Sequence, residues 1–216
     1  PCVALGLATF TMQASESVIS VCFNASLLKY GGDIAVGAMT ILTSVMQFAM
    51  LPLQGIGQGA QPITSYNFGA KNTDRVRKTF HLLLKVSLIY SVSLWLLIEL
   101  FPGLFAHIFT PDAELIAFTT RVLRIYCAGL FLFGIQIACQ MTFVSIGSAV
   151  CSIIVAVLRK FVLLLPLIYL LPALLPDQTT AVYLAEPVAD VIAVTCTAIL
   201  FSTQFRKALH KLEANA

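Results

Sequence analysis

The 216-residue chain is 59% hydrophobic and only 11% charged, with a mean hydropathy of +0.92. Soluble domains carry roughly 25% charged residues, so this composition excludes an ordinary water-soluble globule, a disordered chain and a nucleic-acid binder. The formal net charge of +3 is too small to specify an anionic partner; in so apolar a chain the placement of Lys and Arg says more than their sum.

Apolar runs of about 20 residues, enough to cross a bilayer as helix, recur six times. They predict an all-α integral membrane protein, a six-transmembrane-helix bundle. The first span covers residues 3–28 and ends at Lys29-Tyr30-Gly31-Gly32-Asp33, where the Gly pair marks a turn. The second, 34–64, is long and rich in Gly and Gln, and a polar loop to Lys78 follows it. The third covers 79–101, and the connector after it carries Pro102, Gly103, Pro111 and Asp112. The fourth, 115–146, ends at a Gly147-Ser148 turn; the fifth, 149–175, contains Pro166 and Pro172. Pro176-Asp177-Gln178 turns the chain into the sixth, 179–205, and the tail 206–216 is polar.

The basic residues Lys71, Arg75, Arg77, Lys78, Arg206, Lys207 and Lys211 fall on one side of such a bundle, against Lys29 on the other. The positive-inside bias then predicts that the 71–78 loop and both ends of this segment face the cytoplasm, from an inner (plasma) membrane. Arg121 and Arg124, near the outer end of span four, are expected either to snorkel or to face an aqueous cavity. The cysteines (Cys2, Cys22, Cys127, Cys139, Cys151 and Cys196) show no CxxC spacing and read as small packing residues, with no disulfide or metal framework. His81 and His107 offer no ligand spacing, and His210 stands in the charged tail. No GxSxG, HExxH, P-loop or GxGxxG pattern supports an enzyme or a nucleotide site. The opening span lacks the basic flank of a signal peptide, and the start at Pro1 reads as a cut from a longer protein.

Ionisable side chains inside apolar spans are costly, and so mark functional positions. Glu16 lies midway along span one, with Gln13, Ser20 and Asn24 on its helical face. A polar stripe beside an acid is material for a proton or Na⁺ site; the bland alternative is a structural acid bonded to a neighbouring helix. Glu186 and Asp190 stand four apart in span six, on a face with Tyr183. Two carboxylates that close repel unless a proton or a cation intervenes, and Arg121 or Arg124 are the alternative partners. Arg159-Lys160 in span five either snorkel or place Arg159 against a bundle acid. Gln136 and Gln140 share a face of span four, as do Gln47, Gln54, Gln58 and Gln61 in span two. Those amides, the Gly55–Gly59 step and the bends allowed by Pro52 and Pro62 suit a helix lining a moving cavity. Phe133 is among the aromatics that can meet a cation face-on, and Tyr90, Trp95 and Tyr126 are expected at interface belts.

The stretch Pro52-x-x-Gly55-x-x-x-Gly59-x-x-Pro62, followed by Asn67-x-Gly69-Ala70 and a basic loop, resembles the signature of the multidrug and toxic compound extrusion (MATE) family. Tyr30-Gly31-Gly32-Asp33, Leu158-Arg159-Lys160 and Glu186-Pro187-Val188-Ala189-Asp190 look familial too, closest to the MepA/DinF-like bacterial branch. The resemblance implies one lobe of a twelve-helix, two-lobe transporter, here the C-terminal six-helix half, with the N-terminal lobe outside this sequence. It implies a secondary active multidrug efflux antiporter, exporting amphipathic cationic compounds in exchange for H⁺ or Na⁺ and needing no cofactor. Glu16, Glu186 and Asp190 are the cation-coupling residues it suggests. Gln13, Asn24, Gln47, Gln54, Gln58, Gln136 and Gln140 are the cavity residues, and Pro52, Gly55, Gly59 and Pro62 serve bending and packing. Phe133-Gly134 stands where one branch has an aspartate of a sodium site, which leans the coupling ion toward H⁺. The rival readings are a lipid-linked oligosaccharide flippase of the same superfamily and a non-transporting fragment.

Overall fold

A computed structural model describes residues 2–148 and 154–214, without the side chains of residues 2–15, 211, 213 and 214. No strand occurs among the described residues. The helices are α1 (Cys2–Gly69), α2 (Thr73–Leu100), α3 (Pro102–Phe109), α4 (Ala113–Tyr126), α5 (Phe133–Ser145), α6 (Leu165–Leu174) and α7 (Gln178–Ala214). A 3₁₀ segment, Cys127–Leu132, joins α4 to α5, and a π-helical segment, Leu158–Leu164, leads into α6.

Among the described residues five helical stretches are long and apolar enough to cross a membrane. The first is two arms joined at a break. α1 has 68 residues, about 100 Å of helix at 1.5 Å per residue, far more than a bilayer needs. Gly32 interrupts it with φ 65° and ψ −161°, a conformation that a side chain disfavours. Ile19, Phe23 and Leu27 before the break then share one core with Ala38, Leu42 and Val45 after it. Gly31 permits the close approach at this corner: a Cβ there would lie 2.7 Å from Thr179 Cγ2. The Thr179 hydroxyl donates to the Tyr30 carbonyl oxygen at 3.0 Å, which docks the start of α7 on the hairpin.

Apolar burial gives little drive to helix association in lipid; small residues and interhelical hydrogen bonds matter more. Gly134 of α5 shows this. A Cβ there would stand 2.7 Å from the Ser87 carbonyl oxygen, and Ser91 of α2 donates to the Phe131 carbonyl oxygen at 3.0 Å. Ala181, Ala185, Ala189 and Ala193 give α7 a buried small-residue face. The predicted close contact at Gly55 and Gly59 is not made among the described residues, since none of them lies within 4 Å of a Cβ at either position. The packing glycine of that arm is Gly57, where a Cβ would fall 2.7 Å from Met141 Cγ. Pro52 and Pro62 share the exposed side of the arm with Gly55 and Gly59.

Several helix ends lie beyond the apolar runs. α2 begins at Thr73 because the Asn72 side chain accepts from the Arg75 N–H at 3.2 Å. The connector after α2 folds into α3, and α7 continues through residues 206–214 of the polar tail. The start of the fifth span, 149–153, lies outside the described residues. Cys127 and Cys139 are buried free thiols, and Cys22 and Cys196 are free and half-buried; the side chains of Cys2 and Cys151 lie outside the described residues. Tyr126 is buried in the main core, away from the interface belt expected for it.

Candidate functional site: a charged cluster between two cavities

Two adjacent bases of the fifth span tie it to different helices. Lys160 Nζ pairs with Glu16 of α1. Arg159 turns the other way, with Nε 2.7 Å from Asp190 Oδ1 and Nη2 2.8 Å from Glu186 Oε1, both on α7. One planar guanidinium therefore donates to two carboxylates, a geometry that suits Arg and not Lys. Its Cζ also lies 5.0 Å from the centre of the Phe133 ring, within cation–π range. Of the two alternatives open for Arg159, pairing with bundle acids is the one realised, and Arg121 and Arg124 remain exposed.

Local backbone departures bring these groups together. Arg159 and Lys160 sit in the π-helical turn, where the Leu165 N–H bonds back to the Lys160 carbonyl oxygen. Pro166 follows and has no N–H to offer an α-helical ladder, so a wider turn precedes it; such turns recur at functional sites. On α7, Pro187 stands beside Glu186 and has no N–H to offer the Tyr183 carbonyl oxygen one turn back. Opposite, Gly129 in the 3₁₀ segment makes room for the acid: a Cβ there would be 3.2 Å from Asp190 Cβ and 3.3 Å from Asp190 Oδ2. Tyr183, one turn before Glu186, donates its buried hydroxyl to the Ala35 carbonyl oxygen at 2.7 Å, which fixes α7 against the second arm of α1.

The cluster separates two cavities. One, of about 260 Å³, lies between the arms of α1, with Ser20 and Asn24 on one side and Met39 and Thr43 on the other. The second, of about 350 Å³, is lined by Met46, Met50, Gln54, Phe133, Gln136 and Gln140. Glu16, Tyr126, Arg159, Lys160 and Glu186 line both. Asp190 is the most deeply placed acid, its side chain 2% exposed, whereas that of Glu16 is 58% exposed. Gln136 is buried with its Oε1 unpartnered among the described residues.

The structure thus joins Glu16, Glu186, Asp190, Asn24, Gln54, Gln136 and Gln140 at one place. Gln47 and Gln58 fall elsewhere. The cavity row of that arm runs Met39, Thr43, Met46, Met50, Gln54, in steps of three and four. Gln47 is off this row, in an apolar pocket with Phe105, Ile108 and Phe109. Gln58, one turn past Gln54, is exposed beyond the cavity. The side chain of Gln13 lies outside the described residues. Sequence reasoning missed Tyr126 and Lys160 as cavity residues; the only signal for Lys160 was a base deep in an apolar run.

Fold and cluster together define a multi-pass helical membrane protein with an ionised interior opening on internal cavities, a construction suited to moving solutes. The MatE family model matches residues 8–170, and the chain belongs to this family, whose members are transporters and not enzymes. The chain is 24% identical over 132 residues to the multidrug export protein MepA of Staphylococcus haemolyticus, covering 61% of this chain and 28% of MepA. It is similar to the structure of the MATE multidrug transporter DinF-BH in complex with R6G, at 34% identity and a TM-score of 0.79, covering 95% of this chain and 45% of that one. A MATE crystal structure in the bent conformation shares the fold with a TM-score of 0.88 at 17% identity, covering 96% of this chain and 46% of that one. The chain therefore spans less than half the length of these relatives.

Proposed function

We propose that this chain is the C-terminal lobe of a secondary active multidrug efflux antiporter that exports amphipathic cationic compounds in exchange for H⁺ or Na⁺. The observation that carries the reading is a charge count. Three carboxylates, Glu16, Glu186 and Asp190, meet two bases, Arg159 and Lys160. Among the described residues the cluster is one cation short. An unmatched carboxylate inside a membrane protein is costly, so the cluster is completed by one further cation: a proton, Na⁺ or a cationic drug. Competition among these for one place supplies the coupling. The imbalance sits in the Arg159 group, with two acids to one base, while Glu16 and Lys160 balance each other. Exchange at Glu186 and Asp190 then alters the hold of Arg159 on α7, and Lys160 passes the change to Glu16 and α1.

The acidic surplus supports a cationic cargo over a lipid-linked oligosaccharide, whose phosphates call for surplus base. The exposed arm with Pro52, Gly55, Gln58, Gly59 and Pro62 turns toward a second six-helix lobe, and alternating access comes from the two lobes rocking against each other. The 71–78 loop and both ends of the segment face the cytoplasm of an inner (plasma) membrane.

Efflux of a cationic fluorescent dye from cells tests this. The arms are the chain alone, the chain joined to a six-span N-terminal lobe, and the joined form carrying Glu186→Gln with Asp190→Asn. Export by the joined form, lost in the variant, is the expected result. Export by the chain alone would overturn the two-lobe reading. A well-expressed joined form that ignores the dye and moves anionic lipid analogues would favour the flippase.

A further inference from the structure

We infer that the first cavity, between the arms of α1, selects cations that carry N–H groups on an apolar body (primary ammonium, amidinium or guanidinium amphiphiles) over quaternary ammonium compounds; this rests on the cationic cargo proposed above and narrows its class. The cavity holds about 260 Å³, and Thr40 and Thr43 stand on its second-arm wall, three apart and so on one face of the helix. The hydrogens of both hydroxyls are already used. Thr40 Oγ1 donates to the Val36 carbonyl oxygen at 3.1 Å. Thr43 Oγ1 donates to the carbonyl oxygens of Met39 and Thr40, each at 3.0 Å. A hydroxyl has one hydrogen and two lone pairs. With that hydrogen turned back on its own helix, each oxygen offers the cavity an acceptor and no donor.

The facing arm completes the pattern. It brings Glu16, Ser20 and Asn24 to the same cavity. Glu16 pairs with Lys160, yet its side chain is 58% exposed, so the carboxylate keeps lone pairs open to the cavity. The carboxylate draws in positive charge, and the threonine oxygens call for hydrogen on that charge. A primary ammonium has three N–H groups and divides them between carboxylate and hydroxyl oxygens in charge-assisted bonds. A quaternary ammonium brings the same charge with no hydrogen. Its methyl groups would take water from Thr40 and Thr43 and give no bond in return, which is the costly outcome for a polar group. The remaining lining argues against a bare metal ion. Ile19, Phe23, Met39 and Leu164 are buried along the cavity wall; Na⁺ would leave them unused, whereas an amphiphile lays its hydrocarbon there.

Fluorescence polarisation on the purified protein in mild detergent tests the selectivity, with a dye bearing a primary ammonium group and its N,N,N-trimethyl analogue. The primary ammonium dye should bind at least about tenfold more tightly. Thr40→Val with Thr43→Val keeps the side-chain shape and should erase the preference while leaving the trimethyl dye unchanged. Thr40→Ser with Thr43→Ser should keep it. Thr195→Val removes the same kind of hydroxyl, bonded to the Val191 carbonyl oxygen, away from the cavity, and should keep it too. Both cavity hydroxyls bond only within their own helix, so the valine pair should melt close to the parent. A preference that survives the valine pair, or is lost equally in Thr195→Val, would overturn the site. Sodium that displaces the primary ammonium dye and spares the trimethyl dye would give these oxygens to the metal ion and overturn it as well. Equal binding of the two dyes to the parent would overturn the selectivity and leave the cationic cargo standing; binding of neither would overturn both.

Discussion

Arg159 Nε meets Asp190 Oδ1 at 2.7 Å across 31 positions of sequence, from a π-helical turn to a helix with a proline inside it. The same guanidinium holds Glu186 Oε1 at 2.8 Å, so removing it strands two acids at once. Arg159→Met should destabilise the protein by about 3–5 kcal/mol, the usual cost of deleting one partner of a buried pair, read as denaturant unfolding in detergent. Adding Glu186→Gln and Asp190→Asn to that variant should restore most of the stability, because a neutral cluster has no stranded charge. Gradient-driven export should stay absent. A triple variant that exports like the parent would make the cluster purely structural.

The pair of Lys160 with Glu16 behaves differently because Glu16 is largely open to its cavity. Its side chain is 58% exposed, against 17% for Lys160. Glu16→Gln should therefore cost under about 1 kcal/mol, as for exposed ion pairs, and leave expression and melting close to the parent. The proposed antiport should nonetheless fail, since Glu16 lines both cavities beside the cluster. Dye efflux under an imposed proton or sodium gradient, set beside melting of the same preparation, checks both halves of this expectation. Normal export would remove Glu16 from the coupling path.

The sequence made the membrane class legible because length and apolarity of a run suffice for it, and Gly31-Gly32 marked the corner of α1 because few other residues adopt a positive φ. Helix ends were less legible. Nothing in Arg206-Lys207-Ala208-Leu209-His210 breaks a helix, so α7 runs on into the polar tail once its apolar run ends. Glu16, Glu186 and Asp190 stood out as carboxylates in hydrocarbon. Arg159 stood out too as a base that either snorkels or meets a bundle acid, but which acids it meets was not legible, since it reaches Glu186 and Asp190 only through the packing of helices distant in sequence. The Gln stripe misled in part: periodicity places Gln47 and Gln54 on one face but does not say which neighbour each meets.

Asp177 gives a pH dependence outside the membrane spans. Its carboxylate accepts from the Thr180 hydroxyl at 2.5 Å and from the Thr180 N–H at 3.2 Å, capping the start of α7. These bonds, the hydroxyl first, hold its pKa below the ordinary aspartate value of 3.8. A depressed folded-state pKa adds stability that is complete above the unfolded value and fades as pH falls through the folded one. The parent should therefore lose this contribution below about pH 4, and Asp177→Ala should lose about 1 kcal/mol at neutral pH, the usual cap value. The gap between the two should close in acid. Melting curves at pH 7 and pH 3 would show the gap narrowing, and a gap as wide at pH 3 as at pH 7 would deny the carboxylate this role.

Three glycine-to-alanine changes separate packing inside the lobe from the open face of α1. At Gly134 the new Cβ meets the Ser87 carbonyl oxygen at 2.7 Å, and backbone cannot step aside without moving α2 against α5. A loss of about 1–3 kcal/mol is expected from such overpacking. At Gly57 the obstacle is Met141 Cγ at 2.7 Å, part of a flexible side chain that adapts easily. Relief of the helical glycine penalty, about 1 kcal/mol, offsets that clash, so the change should be near neutral. At Gly59 nothing lies within 4 Å, and only the propensity gain remains. The order of melting temperatures should be Gly59→Ala highest, then Gly57→Ala, then Gly134→Ala. Because Gly59 belongs to the arm proposed to face a second lobe, the same substitution made in the two-lobe protein supplies the contrast. A stabilised lobe joined to impaired export would place the demand for a bare backbone at that interface, and an unchanged export rate would remove Gly59 from it.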